Sequence, residues 1–201
     1  MNIAVTGGYG SGKSSVSRLF ARYLGAKLTN ADFLCRSLLE PGQDGFRQLQ
    51  NVFGDRFTGQ DGSLDRNHLR DATFNDLTIK DTLEKILHPL VRDRVRDQAR
   101  VCCLQHNSLV VEVPLLFEVG WQDDFDISVL VRVDRETSVK RVVKRDCIVA
   151  EEAERIIDFQ LPMSCKEPLA DYVIDNNDTF VSTAQQTAWL STLLRKENWR
   201  Q

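Results

Sequence analysis

The sequence predicts a three-layer α/β fold around a central parallel sheet, and three observations carry that expectation. A short apolar run, Ile3 to Thr6, is cut off by Gly7-Gly8 and followed by a helix-period pattern. Further short apolar runs alternate with helical patterns in the second half of the chain, as parallel strands joined by right-handed crossovers require. Between them, residues 33 to 107 carry helical patterns and no convincing strand, so a helical insertion is expected within one domain spanning residues 1 to 201.

Taken in order, Ile3 to Thr6 reads as a fully buried strand because it is short and β-compatible. Val16, Leu19, Phe20, Tyr23 and Leu24 recur every three or four residues, which puts them on one helix face, and Gly25 supplies the stop. Lys27 to Thr29 is the expected second strand, delivering Asp32 at its C-terminal edge. Within the insertion, Glu40-Pro41-Gly42, Thr58 to Ser63 and Asn75-Asp76 separate helices, and Pro89 after His88 predicts a break and a new helix start. Leu109 to Val113, Ile127 to Val133 and Tyr172 to Ile174 supply the remaining strands. Asp134 is the expected cap of a helix that turns Val139, Val142 and Val143 inward and Lys140, Arg141, Lys144 and Arg145 outward.

Composition narrows the function. Hydrophobic residues at 42% and charged residues at 27% match an ordinary globular mix, which excludes disordered and collagen-like chains. A formal charge of -3 provides no broad basic field for a nucleic-acid backbone. Phosphate binding must then come from a few local cations and oriented backbone dipoles. Five cysteines, none in a Cys-x-x-Cys pair, suggest reduced cytosolic thiols rather than a disulfide framework or a zinc site. The opening apolar run is too short for a signal peptide core or a membrane span, so a cytoplasmic chain without a membrane partner is expected.

Gly7 to Ser14 fits Gly-x4-Gly-Lys-Ser and falls between a predicted strand and a predicted helix, as a phosphate-binding loop requires. Gly8, Gly10, Ser11 and Gly12 would wrap a phosphate with inward N–H groups, Lys13 would reach the β- and γ-phosphates of ATP, and Ser14 would ligate Mg2+, with Ser15 following in the first helical turn. Such a loop serves switches, motors and kinases alike. No Asn is followed by Lys, which disfavours a guanine-specific switch, and Glu112 is a single acid at the end of its strand where motor ATPases tend to carry Asp-Glu.

The residues from Thr6 to Ser15, Ala31-Asp32 through Arg36, Glu40-Pro41-Gly42, His88-Pro89-Leu90, Val113 to Glu118, Arg141 to Asp146, Gln160, and Ala170 to Asn176 follow one another in an order and spacing that resembles the dephospho-coenzyme A kinase family. The resemblance covers most of the chain. It implies a P-loop kinase fold with a central parallel sheet, a helical acceptor-binding insertion at residues 33–107 and a lid at residues 140–168. It also implies transfer of the γ-phosphoryl of ATP to the 3'-hydroxyl of the dephospho-CoA ribose, the last step of coenzyme A synthesis. The expected partner is that small substrate, with no nucleic acid, no membrane and room for a weak homo-oligomer.

On this reading Asp32 accepts the proton of the attacking hydroxyl and contacts the magnesium; its plainer alternative is to cap a helix from Phe33. Arg36 would bind substrate phosphate or pair with Asp32. Arg141 and Arg145 share a helix face suited to clamping ATP phosphates; the alternative is a solvated basic face. His88 would touch the acceptor or pack structurally. Pro114, Leu115 and Glu118 would turn the strand end toward the acceptor pocket, the apolar residues packing. Asn176 follows the last strand, where related kinases hold the adenine ring. Two departures from the family pattern stand out: Asn30 where an Asp commonly precedes the Ala-Asp pair, and Cys165 where an acid usually precedes Lys166.

Overall fold

In a computed structural model, which describes residues 1–198, the strands join in one parallel sheet of order β2-β3-β1-β4-β5 with helices on both sides. These are β1 (Asn2–Gly7), β2 (Lys27–Asn30), β3 (Leu109–Glu112), β4 (Ile127–Arg132) and β5 (Tyr172–Asp175). The order explains the sequence pattern: β1, β3 and β4 lie in the interior and are almost uninterruptedly apolar, whereas β2, at one edge, carries Lys27 and Thr29. Register pairs Val5 with Glu112, Asn30 with Glu112 and Gly7 with Val131, so the C-terminal ends of the strands line up along one edge. The chain runs from β1 outward to β2, and later to β4 on the opposite side, which makes the C-terminal end of β1 the switch point where doubly wound sheets bind ligands.

Beneath that edge sits a core of Ile3, Val5, Val110, Val129, Val131 and Ile174 with Val16 and Phe20 of α1 (Lys13–Leu24) and Leu190 and Leu194 of α9 (Phe180–Asn198). α9 packs on α1 and presents Thr183, Thr187 and Ser191, all buried, at four-residue spacing. Two of these hydroxyls bond back within α9, Thr187 to the Thr183 carbonyl and Ser191 to the Thr187 carbonyl, each at 2.7 Å. Small side chains that satisfy themselves in this way allow helices to approach closely without stranding a buried hydroxyl.

The chain divides into two compact units, Met1–Asn30 with the chain from Gln98 onward, and Ala31–Asp97. The second unit holds α2 (Ala31–Leu38), α3 (Asp44–Phe53), α4 (Arg66–Asn75) and the first part of α5 (Leu77–Leu104). Its core includes Leu38, Phe46, Leu49, Phe57, Leu69 and Leu87, with the Phe57 ring edge-on to Phe53 and His68. Asp65 caps α4 by accepting the His68 N–H at 2.9 Å.

Three local expectations are corrected. Pro89 does not start a new helix: α5 runs unbroken across it. Ile86, Leu87, Val91 and Val95 are all buried on either side, and their packing outweighs the hydrogen bond that Pro89 cannot donate. α2 begins at Ala31, so Asp32 stands inside its first turn rather than ahead of a helix from Phe33. Asp134 occupies the position before α6 (Arg135–Asp146), but its side chain makes no capping bond; separately, its backbone N–H donates to Asn177 Oδ1 at 2.7 Å.

Candidate active site

The loop after β1 is shaped by two glycines in the left-handed region, Gly10 at φ 79° and Gly12 at φ 84°. A Cβ on Gly12 would stand 2.3 Å from Asn176 Nδ2, and one on Gly10 would stand 2.9 Å from the Ser138 carbonyl, so close approach as well as conformation demands glycine here. Gly12 precedes α1 and offers no side-chain cap. The first N–H groups of that helix, with the positive end of its dipole, are therefore presented to whatever anion enters the loop. Lys13 Nζ lies 3.5 Å from the Gly8 carbonyl, folded over the loop. The floor of the cradle comes from Asn176, whose Nδ2 donates to the Ser11 carbonyl at 2.7 Å while its Oδ1 accepts from Thr183 Oγ1 at 2.6 Å.

Ser14, exposed at the head of α1, donates to Glu112 Oε1 at 2.7 Å. Glu112 is buried, 6% exposed, and ends β3 beside both Val5 and Asn30. An acid closing an apolar strand, next to the hydroxyl of a phosphate loop, supplies oxygen donors of the kind magnesium takes. The sequence showed this acid without assigning it, because only the β1–β3 register brings it to Ser14.

The other wall of the loop belongs to α6, α7 (Ala150–Asp158) and the turn that follows. Arg141 Nη2 donates to the Asn176 carbonyl at 2.9 Å. Arg145 stacks its guanidinium 4.6 Å above the Tyr9 ring and holds Asp146 through Nε and Nη2 at 2.7 and 2.8 Å. That contact keeps the Asp146 carboxyl below its ordinary range and raises Arg145. Burial, then the hydrogen bond to Asp146, push the Tyr9 hydroxyl up. Gln160 Oε1 accepts the Tyr9 N–H at 2.7 Å.

A phosphate loop of this geometry is shared by many enzymes, and likeness over the whole chain separates them. Residues 1–182 match the family model described as dephospho-CoA kinase. The chain belongs to the dephospho-CoA kinase family. It is 39% identical over 186 residues, 92% of this chain and 94% of the relative, to a dephospho-CoA kinase of Desulfotalea psychrophila. Among solved structures it resembles a protein of Thermus thermophilus with a TM-score of 0.80 and 28% identity, covering 98% of this chain and 97% of the other. A dephospho-CoA kinase from Campylobacter jejuni gives a TM-score of 0.74 and 25% identity, covering 98% of each. As a member of this family the chain is an ATP-dependent kinase on the P-loop kinase fold.

The remaining dephospho-CoA kinase motif residues fall into two groups. In the sheet unit, Glu118 faces Lys166 of α8 (Met163–Lys166), with Nζ 2.7 Å from Oε1 in an ionic rather than well-aligned hydrogen-bonding contact. The same Oε1 accepts the Leu161 N–H at 3.1 Å. Lys166 is completely buried, so the pair ties the segment after β3 to α8 despite Cys165 standing where an acid is usual. Pro114 accepts a long bond from Thr6 Oγ1 at 3.4 Å through its carbonyl, and Leu115 is exposed. In the helical unit, Asp32 and Arg36 are exposed on α2, one helical turn apart, and His88 is half-buried in α5. Sequence reasoning passed over Tyr9 and Ser138, whose roles arise only where α6 meets the loop.

Proposed function

We propose that this kinase transfers the γ-phosphoryl group of ATP to the 3'-hydroxyl of the dephospho-CoA ribose, with Asp32 taking the proton of the attacking hydroxyl. The observation that supports this best is the uncapped start of α1 behind a glycine loop, in a chain that matches the dephospho-CoA kinase model over residues 1–182. Gly8, Gly10, Ser11, Gly12 and Ser15 hold the phosphates through backbone and helix-end groups, and Lys13 and Arg141 neutralise charge that spreads over the transferred group. Asp32 follows β2 by two residues, and β2 ends beside Glu112 at the ligand edge of a parallel sheet, which supports an acid acting there. Arg145 belongs to the nucleotide side. Asn176 serves that side by holding the loop, since both ends of its amide are already bonded.

Ser14 and Asp32 would hold a magnesium ion, with Glu112 orienting the Ser14 hydroxyl, and the ion would supply positive charge to offset the charge that develops during transfer. Arg36, His88, Pro114 and Leu115 contact or shape the acceptor, while Glu118 acts through Lys166 and Leu161. The helical segment 33–107 carries the acceptor and the segment 140–168 closes over ATP, which keeps water from the γ-phosphoryl. A formal charge of -3 favours a small-molecule partner over a nucleic acid, and among the described residues no helix is long and apolar enough to cross a membrane. We assign the enzyme to the cytoplasm.

The test is purified protein with magnesium-ATP and dephospho-CoA, scored for 3'-phosphorylated product against adenosine and common sugars. Preference for dephospho-CoA is expected, and equal or better use of another acceptor would overturn the reading. Asp32→Asn should bind ATP normally and lose about 10²- to 10⁴-fold in kcat; near-normal turnover would remove Asp32 from catalysis.

A further inference from the structure

Tyr9 is gripped by α6 and the segment after α7 through every group it has. Its N–H donates to Gln160 Oε1 at 2.7 Å, its carbonyl accepts from Ser138 Oγ, its hydroxyl donates to Asp146 Oδ2 at 3.0 Å, and its ring lies beneath the Arg145 guanidinium at 4.6 Å. Two of these contacts come from the end of α6 and one from its buried face, while Gln160 stands beyond α7, so one loop residue registers both arms of the lid. Beside it a cavity of about 290 Å³, lined by Gly8, Tyr9, Ser138, Gln160, Leu161 and Met163, separates the loop from the lid. Nothing in the phosphate-loop pattern requires an aromatic residue here, because the position is one of its four unspecified ones and its backbone is outside the left-handed region.

We propose that Tyr9 is a positioning residue that seats the lid, and Arg145 with it, over the phosphate loop, so that ATP is committed to the acceptor rather than to water. Arg145 is the group acted through. In this structure its charge is satisfied by Asp146 and the Tyr9 ring, so it reaches phosphate only by leaving part of that seat. A loop side chain that both holds and releases the arginine aligns the clamp with the nucleotide whenever the lid closes. Without it the lid closes in several registers, some of which admit water.

The inference rests on the kinase reading above, and the experiment separates the two. ATP consumed without acceptor and product formed with dephospho-CoA are measured on the same preparation, so that unfolded protein cancels from their ratio. Tyr9→Leu should raise hydrolysis relative to transfer about tenfold, the combined weight of one exposed cation–π contact and one exposed, water-screened hydrogen bond. Tyr9→Phe, which keeps the ring, should raise it no more than about threefold. A wild-type enzyme that transfers to dephospho-CoA, with the same ratio in Tyr9→Leu, overturns this inference alone. A Tyr9→Phe ratio as high as that of Tyr9→Leu also overturns it, because the ring would then contribute nothing. A wild-type enzyme that makes no product overturns the kinase reading and this inference with it.

Discussion

The segment from Arg145 to Lys166 is held differently at its two ends. At its base, Lys166 is completely buried against Glu118, whose carboxylate also accepts the Leu161 N–H. At the end of α6, Arg145 and Asp146 are exposed, and their hold on Tyr9 faces water. A buried ion pair cannot open without leaving a charge in the core, whereas an exposed one exchanges its partner for water or phosphate at little cost. The contrast gives one segment a buried, fixed root and an exposed, releasable end.

Removing one partner at the buried end should have the largest effect. Lys166→Met is expected to cost about 3–5 kcal/mol of stability by leaving Glu118 uncompensated. The double variant Lys166→Met with Glu118→Leu should recover most of that loss in urea unfolding. A cost below about 1 kcal/mol for the single variant would place this contact in the exposed class and erase the contrast.

The loop that both ends serve comes next. Gly12→Ala forces a Cβ to within 2.3 Å of Asn176 in a left-handed conformation. It should lower kcat/KM for ATP about 100-fold, the order expected for displacing a phosphate cradle by about an ångström. A variant with unaltered ATP kinetics would show that Asn176 can move aside and that the floor is not rigid.

A half-exposed pair tests the middle ground. Arg132 beside Asp175 holds that carboxyl below its ordinary range. A carboxyl depressed in the folded state adds stability above its unfolded pKa and loses it as the pH falls through the folded value. Thermal midpoints should therefore drop more steeply below about pH 4 in the wild type than in Asp175→Asn. Equal slopes would dismiss the pair. The smallest effect is expected at the exposed Arg135–Asp158 pair, where Arg135→Ala should leave the melting midpoint unchanged; a clear drop would show that exposure alone does not make these contacts dispensable.

Much of the sheet was legible because its strands are short apolar runs ended by glycine or turn residues, and burial on both faces leaves no other reading of Val110 or Val129. The phosphate loop was legible because its glycines answer to local backbone geometry. Pro89 was misread since intrinsic propensity is a weak force against a helix buried at Ile86, Leu87, Val91 and Val95. Asp134 takes the N-cap position that its type predicts, but whether its carboxylate bonds the helix end is set by the local geometry, and here it does not.

The amino-acid sequence by itself determined the parallel α/β class, the loop from Gly7 to Ser14 and the family, all of which rest on spacing between near neighbours or on order along the chain. Only the tertiary structure decided that Glu112 meets Ser14, that Asn176 floors the loop, that Lys166 is buried on Glu118, and that Tyr9 meets Gln160. These contacts join residues 48 to 165 positions apart in the chain, and their partners are selected by strand register and helix packing, which no local pattern of residues encodes.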